Sequence, residues 1–508
     1  MRSLAFLCAR RLVSHRPGLR RALDLLPAEL YPVLFRAAVT DRRVLAVRDL
    51  VGTWPFPVLS FHQLLGHWHR DRHPGRAEKP GKSCIQAVIM AVVAHLRRAL
   101  EEPCRGTRWV PKRRCRLRVL DVTGLQAIDT DGGPEGMSLW SGTVALAKAC
   151  LEVSKHQSEL LNHGSKRLKG PSGASAAPQS IAVEVHTDFF VNSTSYGVVR
   201  DALQTTGPLC LKCRDFHAEE LSVAGTVKLL ESLDPASVRR VDLRFSNLGL
   251  PGLCTVLPHL TQFTNLLSLK LPYSNIDVRR LPGGMDSSLR CVAVQLGRLP
   301  CLKELNLASS RLSGKLRHVL SDVRVPLESL ELSFCCLLPG DLAFLSQSIH
   351  APALKKLDLS GHNFSENLLQ FLRDLLEEAS ASLLHLDLTE CRLTDSRLEA
   401  LLPVLCRCSR LRCLGFFGNP LSTPGLKTLL RKTLILQDLR LVYYPYPVDC
   451  RSQDLPSTSG CLFKDEVDEE RFAAVSTELC RMLLSSGRAD VVWTTDISRD
   501  DTVDFFTV

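Results

Sequence analysis

The sequence predicts an α/β fold: a solenoid of stacked strand-and-helix units, with a curved parallel sheet inside, helices outside, a helical region before it and a cap after it. Three observations carry that expectation. Leucine makes up 91 of the 508 residues, and 61 of those lie between Asp201 and Cys450. One frame, L-x-x-L-x-L-x-x-(N/C/S)-x-L, recurs through that segment. Between its copies the apolar residues return at helical spacing, as in NLLQFLRDLLEEAS from Asn367. With 45% hydrophobic residues the chain can bury a large core, which excludes global disorder.

The clearest copies are LKELNLASSRL from Leu302, LESLELSFCCL from Leu327, LKKLDLSGHNF from Leu354, LLHLDLTECRL from Leu383 and LRCLGFFGNPL from Leu411. Looser ones start at Val238, Leu266 and Leu436, so successive starts lie 28, 36, 25, 27, 29, 28 and 25 residues apart. Motif and period are those of the leucine-rich repeat, about 20–29 residues long. Residues such as Leu354, Leu357 and Leu359 share one face of a short strand, and the ninth position turns the chain. Cys335, Cys391 and Asn419 stand there, small enough to pack under the turn and able to contact backbone groups. Each unit buries its apolar face only against neighbours, hence the stacking.

Read in order, residues 1–110 are helical in pattern, with ALDLLPAELYPVLFRAAV, RRVLAVRDLV and CIQAVIMAVVAHLRRAL separated by proline-rich breaks. Residues 111–200 read as divergent first repeats, with strands at LRVLDVTGL (Leu117) and IAVEVHTDFFVN (Ile181). Between these strands the polar, Gly- and Ser-rich segment 154–180 reads as a disordered linker. LCLKCRDF from Leu209 is a further strand, the repeats proper occupy 201–448, and 449–508 form the cap. In the cap, EVDEERFAAVSTELCRMLLSSGRADVVWTTD reads as an amphipathic helix followed by a strand. DVRRLPGGMDSSLR, inside the 36-residue interval, reads as a loop.

The longest apolar stretch, Cys84–Leu96, is shorter than the roughly 20 residues a membrane span needs. Nineteen irregularly spaced cysteines fit reduced thiols, so a cytoplasmic location, with the nucleus as a second compartment, is expected. The net charge of +11 is spread over the N-terminal helices, PKRRCR (Pro111–Arg116) and the linker, which reads as solvated faces and not a nucleic-acid patch. Six arginines before Asp24 also match a mitochondrial transit composition.

The N-terminal text resembles the opening of the PRAME family. The elements that carry the resemblance are Leu25-Leu26-Pro27, Glu29-Leu30, Pro32, Leu34-Phe35, Ala38 and Trp54-Pro55-Phe56, and the repeats, the PVDC segment at Pro447 and the VVWTTD ending extend it over nearly the whole chain. The resemblance implies a substrate-recognition subunit of a cullin-2 RING ubiquitin ligase, with elongin C and cullin-2 as partners. In such subunits a short helix reading [ST]-L-x-x-x-C-x-x-x-[AILV] docks on elongin C, and SLAFLCARRL supplies Ser3, Leu4, Cys8 and Leu12 in that pattern. Leu4, Cys8 and Leu12 follow at i, i+4 and i+8, an apolar stripe suited to a groove. Downstream, Leu26, Pro27, Leu30 and Leu34 resemble the cullin-2 box, although Glu29 departs from it. The same LPAELYPVLF also resembles an F-box start, which would recruit the Skp adaptor. Both readings put these four residues on a protein-binding helix.

Catalytic and metal chemistry is sparse. GRAEKPGKS (Gly75–Ser83) has five residues between its glycines where a phosphate loop needs four. His62, His67, His69 and His73 lack the rest of a ligand set, and Cys210 with Cys213 is a lone C-x-x-C that reads as buried small residues. No enzyme activity, cofactor, small-molecule substrate or membrane partner is expected. The positions between the buried leucines project outward and form the expected face for an unidentified protein target: Arg239, Arg240, Asp242, Arg244, Phe245, Tyr273, Glu331, Phe334, Asp358, Asp387, Phe417 and Tyr443. The function expected is a non-enzymatic adaptor. The alternative is a ligase-independent scaffold or inhibitor that sequesters a signalling or transcription protein.

Overall fold

The computed structural model describes residues 3–65, 80–101, 115–125, 137–165, 182–278, 286–452 and 466–497. The chain divides into two compact units, Met1–Arg239 and Arg240–Val508.

The first unit begins with α1 (Leu4–Ser14), α2 (Arg16–Leu23), α3 (Tyr31–Thr40) and α4 (Val44–Gly52). It continues through β1 (Val58–Ser60), α5 (Phe61–Leu65), α6 (Lys82–Glu101), β2 (Val119–Asp121), α7 (Leu139–Ser165), β3 (Val183–Val191), α8 (Tyr196–Gln204), β4 (Leu209–Glu219) and α9 (Val223–Ser232). Its four strands run parallel in chain order, with Leu59, Leu120, Val185 and Leu211 in one buried row. The helical start is built around aromatics. Trp54 meets Tyr31 and Phe35 edge-on at 6.1 and 5.7 Å, and Phe35 meets Phe61 at 5.4 Å. Trp54 Nε1 donates to Val58 O at 3.0 Å, so the indole is buried without an orphaned donor.

The arginine-rich start has a structural role here. Arg10 pairs with Asp41 at 2.8 Å, while Arg16 and Arg20 both reach Asp49 on α4, at 2.7 and 2.9 Å. Burial works against ionisation of Asp49, yet the hydrogen bonds from the two guanidinium groups hold its carboxyl below the usual range.

Two expectations change in this unit. Residues 154–165, read as the start of a linker, continue α7; only 166–180 of that segment lie outside the described residues. The apolar run Cys84–Leu96 lies inside a helix of 20 residues, long and apolar enough to cross a bilayer by length and composition, half of which is buried in the fold. Its apolar face packs on α4 and α7.

The second unit carries β5 (Arg240–Arg244), β6 (Ser268–Lys270), β7 (Glu304–Asn306), β8 (Ser329–Glu331), β9 (Lys356–Asp358), β10 (His385–Asp387), β11 (Cys413–Gly415), β12 (Leu441–Tyr443) and β13 (Val492–Thr494), all parallel in chain order. Between them the chain returns through α10 (Gly249–Leu260), α11 (Asp286–Gly297), α12 (Leu316–Leu320), α13 (Pro339–Ser346), α14 (Glu366–Ala379), α15 (Asp395–Leu405), α16 (Thr423–Thr433) and α17 (Glu469–Ser485). The fourth motif position forms one in-register row, Val241, Leu269, Leu305, Leu330, Leu357, Leu386, Leu414 and Val442, every member buried. This is a leucine-rich repeat fold, in which the leucine excess becomes a ladder.

The ninth motif position closes the turns under that ladder. Cys335 Sγ lies 3.1 Å from Leu307 O and Cys391 Sγ 3.3 Å from Leu359 O, each thiol donating. Burial pushes the Cys335 thiol up to about 12 and raises Cys391 as well, so both remain protonated donors. Asn419 does more. Its Nδ2 donates to Leu388 O and Phe416 O at 2.8 Å, and its Oδ1 accepts from Cys391 N and Leu393 N at 3.0 Å.

One register differs from the expectation. The eighth unit starts at Leu439, not Leu436, because Leu441 pairs with Cys413 and Val442 with Leu414. LQDL and LRLVYY both supply apolar alternation, and the structure selects the copy that preserves the spacing of the preceding units, with Tyr444 buried where the preceding unit has Phe416 and the earlier ones leucine.

Candidate docking helix and strand face

α1 is amphipathic in two directions. Phe6, Ala9 and Val13 are buried and face α3, with the Arg36 guanidinium 5.5 Å from the Phe6 ring centre. The opposite stripe is the one the motif names. Leu4 is 77% exposed, Cys8 is exposed and Leu12 is half-buried. Ser3 caps the helix, its hydroxyl accepting from Phe6 N at 3.3 Å. A shallow groove lined by Cys8, Arg11, Leu12, Ser14 and His15 runs along this side. Leu7, absent from the motif residues, adds to the exposed apolar surface.

The second docking segment is less coherent than expected. Leu26 and Pro27 precede a single 3₁₀ turn, Ala28–Leu30, and α3 starts only at Tyr31. Pro32, at the first turn of α3 where its missing N–H costs nothing, sets that start. Pro27 is exposed, Leu26 half-buried and Leu30 exposed, but Leu34 is 3% exposed and belongs to the core. Leu34 therefore cannot present its side chain to a partner, and the four residues do not share one helix. Leu25, 83% exposed, takes the outer place instead.

On the strands of the second unit, the third and fifth motif positions face outward. Ion pairs lace this face: Lys270 reaches Glu304 at 2.9 Å, and Lys356 reaches Glu331 at 2.8 Å. Burial opposes ionisation of Glu331, and the two lysines hold its carboxyl below the usual range. Lys270, Glu304 and Lys356 were not singled out from sequence, although the same motif positions contain them. Asp242 was expected outward and is only 2% exposed, because Arg244, two residues along the same strand face, folds over it at 2.5 Å. Arg239 closes the first unit, its N–H donating to Arg214 O at 2.7 Å, while Arg240 opens β5 of the second. Tyr443 and Phe417 are half-buried on β12 and just past β11.

The eighth motif position adds an unusual feature. Phe245, Tyr273 and Phe334 stand there with φ of 52°, 55° and 56°, a left-handed conformation that bulky side chains rarely adopt. All three are about half exposed, at 45%, 52% and 45%, and Phe245 stacks on Tyr273 with centroids 4.7 Å apart. The same position in the next unit is Gly361, φ 76°, directly beneath the Phe334 ring, where no β-carbon fits. Gly361→Ala is expected to lower stability by about 1–2 kcal/mol and displace the Phe334 ring, read by thermal unfolding and by a changed Phe334 environment.

Asp358 and Asp387 are neighbours in register. Burial and then the Asp387 carboxylate push the Asp358 carboxyl up to about 6, against hydrogen bonds from Ser360 N and Oγ at 2.9 and 2.6 Å. Glu331 adds to the upward push, and Lys356 and His385 stand at the third position of the same two strands. Unfolded, the group titrates near 3.8, so between that value and about 6 the folded chain holds the proton more tightly. Its contribution to stability therefore falls as pH rises through that window. Asp358→Asn is expected to be more stable than wild type by about 1 kcal/mol at pH 7.5 and nearly equal at pH 4, by thermal unfolding at both.

Of the remaining motifs, Cys210 and Cys213 point to opposite faces of β4, as strand spacing implies; Cys213 is buried as expected, while Cys210 is exposed, which corrects its reading as buried. His67, His69, His73 and Gly75 lie outside the described residues, as do Pro111–Arg114. Among the described residues no group of His, Cys, Asp and Glu is arranged to hold a metal.

Comparison with known proteins identifies two matched regions, the second beginning inside the first unit. Residues 3–71 match the PRAME N-terminal domain and residues 198–505 the PRAME C-terminal domain. A Xenopus laevis protein named leucine-rich repeat-containing protein 14 is 52% identical over 99% of this chain and 99% of its own length. The Homo sapiens protein of that name is 44% identical over the full length of both, and human PRAME family member 20 is 30% identical over 84% of this chain and 82% of its own.

Proposed function

The chain belongs to the PRAME family of leucine-rich repeat proteins, and on that premise we propose that it is a non-enzymatic adaptor of a cullin-2 RING ubiquitin ligase. α1 docks on elongin C, and the strand face of the repeats holds a protein target. The observation that carries the reading is the orientation of α1. Its Phe6–Ala9–Val13 stripe satisfies the fold, which leaves Leu4 and Cys8 exposed and Leu12 half-exposed on the outer side. An exposed leucine followed at helical spacing by a small residue and a second, half-exposed leucine suits insertion into a groove on a partner.

No catalytic group is needed for this role. Holding the target beside the ubiquitin-loaded enzyme raises its effective concentration, and the rate gain comes from proximity. As proposed, the adaptor works in the cytosol or nucleus, where its thiols stay reduced. Cullin choice rests on the Leu25–Leu30 surface, since Leu34 is committed to the core.

Co-expression with elongin B, elongin C and cullin-2 tests the proposal. The chain is expected to co-elute with all three in gel filtration. Elution of the chain apart from elongin C would instead favour a scaffold that acts without a ligase.

A further inference from the structure

The outward rows of the second unit change character toward its C-terminal end. At the fifth motif position Asp358, Asp387, Gly415 and Tyr443 follow one another in register. At the eighth position the same units carry Gly361, Glu390, Gly418 and Tyr446. Asp387 leans over Gly415 and Glu390 over Gly418, each filling the place a β-carbon would need. A β-carbon at either position would displace the carboxylate side chain above it, and both carboxylates are tilted toward the tyrosines.

Aromatic rings stand at each side of these acids. Phe334 lies on Gly361 at one side. At the other, Tyr446 meets Phe417 at 6.2 Å and Phe472 at 5.0 Å, both edge-on, which fixes its ring. The face lysines are already committed to Glu304 and Glu331. Among the described residues Asp358, Asp387 and Glu390 form no ion pair, in a chain whose net charge is +11. The shallow trough these side chains form, its glycines covered by Asp387, Glu390 and Phe334 and its ends bounded by aromatic rings, has the chemistry of a cation site. Carboxylates pair with guanidinium or ammonium, and ring faces attract the same charges.

We propose that this trough recognises the target through an extended segment bearing arginine or lysine, laid across β9–β12; the inference rests on the adaptor reading for its target. Charge complementarity selects the occupant. The net positive charge of the chain weakens non-specific attraction of a cationic segment, so binding needs a local concentration of carboxylates such as this one.

Fluorescence anisotropy with fluorescein-labelled nona-arginine on the full chain, at physiological salt, tests it. Asp387→Asn with Glu390→Gln is expected to weaken binding by about tenfold, and Tyr443→Leu by about threefold. Glu366→Gln with Glu378→Gln, acids on the outer helix α14, should leave the affinity unchanged. Thermal unfolding of each variant confirms that it is folded. Equal affinity of wild type and the Asp387/Glu390 variant, or an equal loss from the α14 variant, would overturn the proposal. Elongin C recovery is read on the same proteins. Its absence from wild type, with peptide binding at the trough intact, would remove the adaptor reading alone.

Discussion

A chain carrying Leu4→Asp and Cys8→Asp retains less than about a hundredth of the wild-type affinity for elongin C, with an unchanged unfolding midpoint. The magnitude follows from burial. Seating a leucine side chain in an apolar groove contributes roughly 2 kcal/mol, and forcing a carboxylate into the same place costs several more. The fold is spared because both side chains face solvent in the free chain. Aspartate in the first turn suits the positive end of the helix, and the Ser3 cap is untouched. Val13→Asp is the opposite case: Val13 is buried in the seam with α3, so that substitution destabilises the first unit itself.

Asn419→Ala lowers the stability of the repeat unit by about 3–5 kcal/mol. Asn419 is buried and satisfies two carbonyls and two amide N–H groups drawn from two neighbouring turns. Alanine leaves all four without a partner where water does not reach, at about 1–3 kcal/mol each before relaxation. Relaxation and the non-additivity of a shared network bring the sum down to the stated range. Guanidinium unfolding followed by circular dichroism reads it. Because repeats couple mainly to neighbours, the loss is expected as an earlier transition of the C-terminal repeats and not as a uniform shift.

The repeats were legible because their signal is redundant. Strands β5–β12 fall at the eight motif copies, and the ninth-position contacts of Cys335, Cys391 and Asn419 follow from their size and polarity. The eighth copy slipped by three residues because two overlapping leucine patterns compete there. β1 was not read at all: Val58–Ser60 is three residues long and follows Pro55 and Pro57, too short for an alternation to register. The end of α7 was read as linker because its residues are polar. That polarity belongs to an exposed helix face, tied back where Glu152 reaches Arg97 at 2.6 Å.

The sites divide along the same line. SLAFLCARRL contains two apolar stripes, Leu4–Cys8–Leu12 and Phe6–Ala9–Val13, both at helical spacing. Periodicity alone cannot say which one packs inward; only α3 decides it. Leu34 illustrates the reverse, a motif residue whose helical position turns it into the core beside Phe35. On the strand face alternation assigns direction but not coverage, which is why Asp242 lies beneath Arg244. The glycine and acid arrangement over β10 and β11 is invisible in sequence, because the leaning of Asp387 over Gly415 is a relation between units.

The measurement that bears most directly on the proposed docking helix uses a cysteine already in place. Cys8 is exposed at the centre of the outer stripe of α1, and Cys480, on α17, is exposed as well. Saturating elongin B–elongin C is expected to slow alkylation of Cys8 by iodoacetamide by at least about tenfold, followed by mass spectrometry, while Cys480 reacts at its original rate. Alkylation of Cys8 at an unchanged rate in the presence of saturating elongin B–elongin C would contradict the docking of this helix.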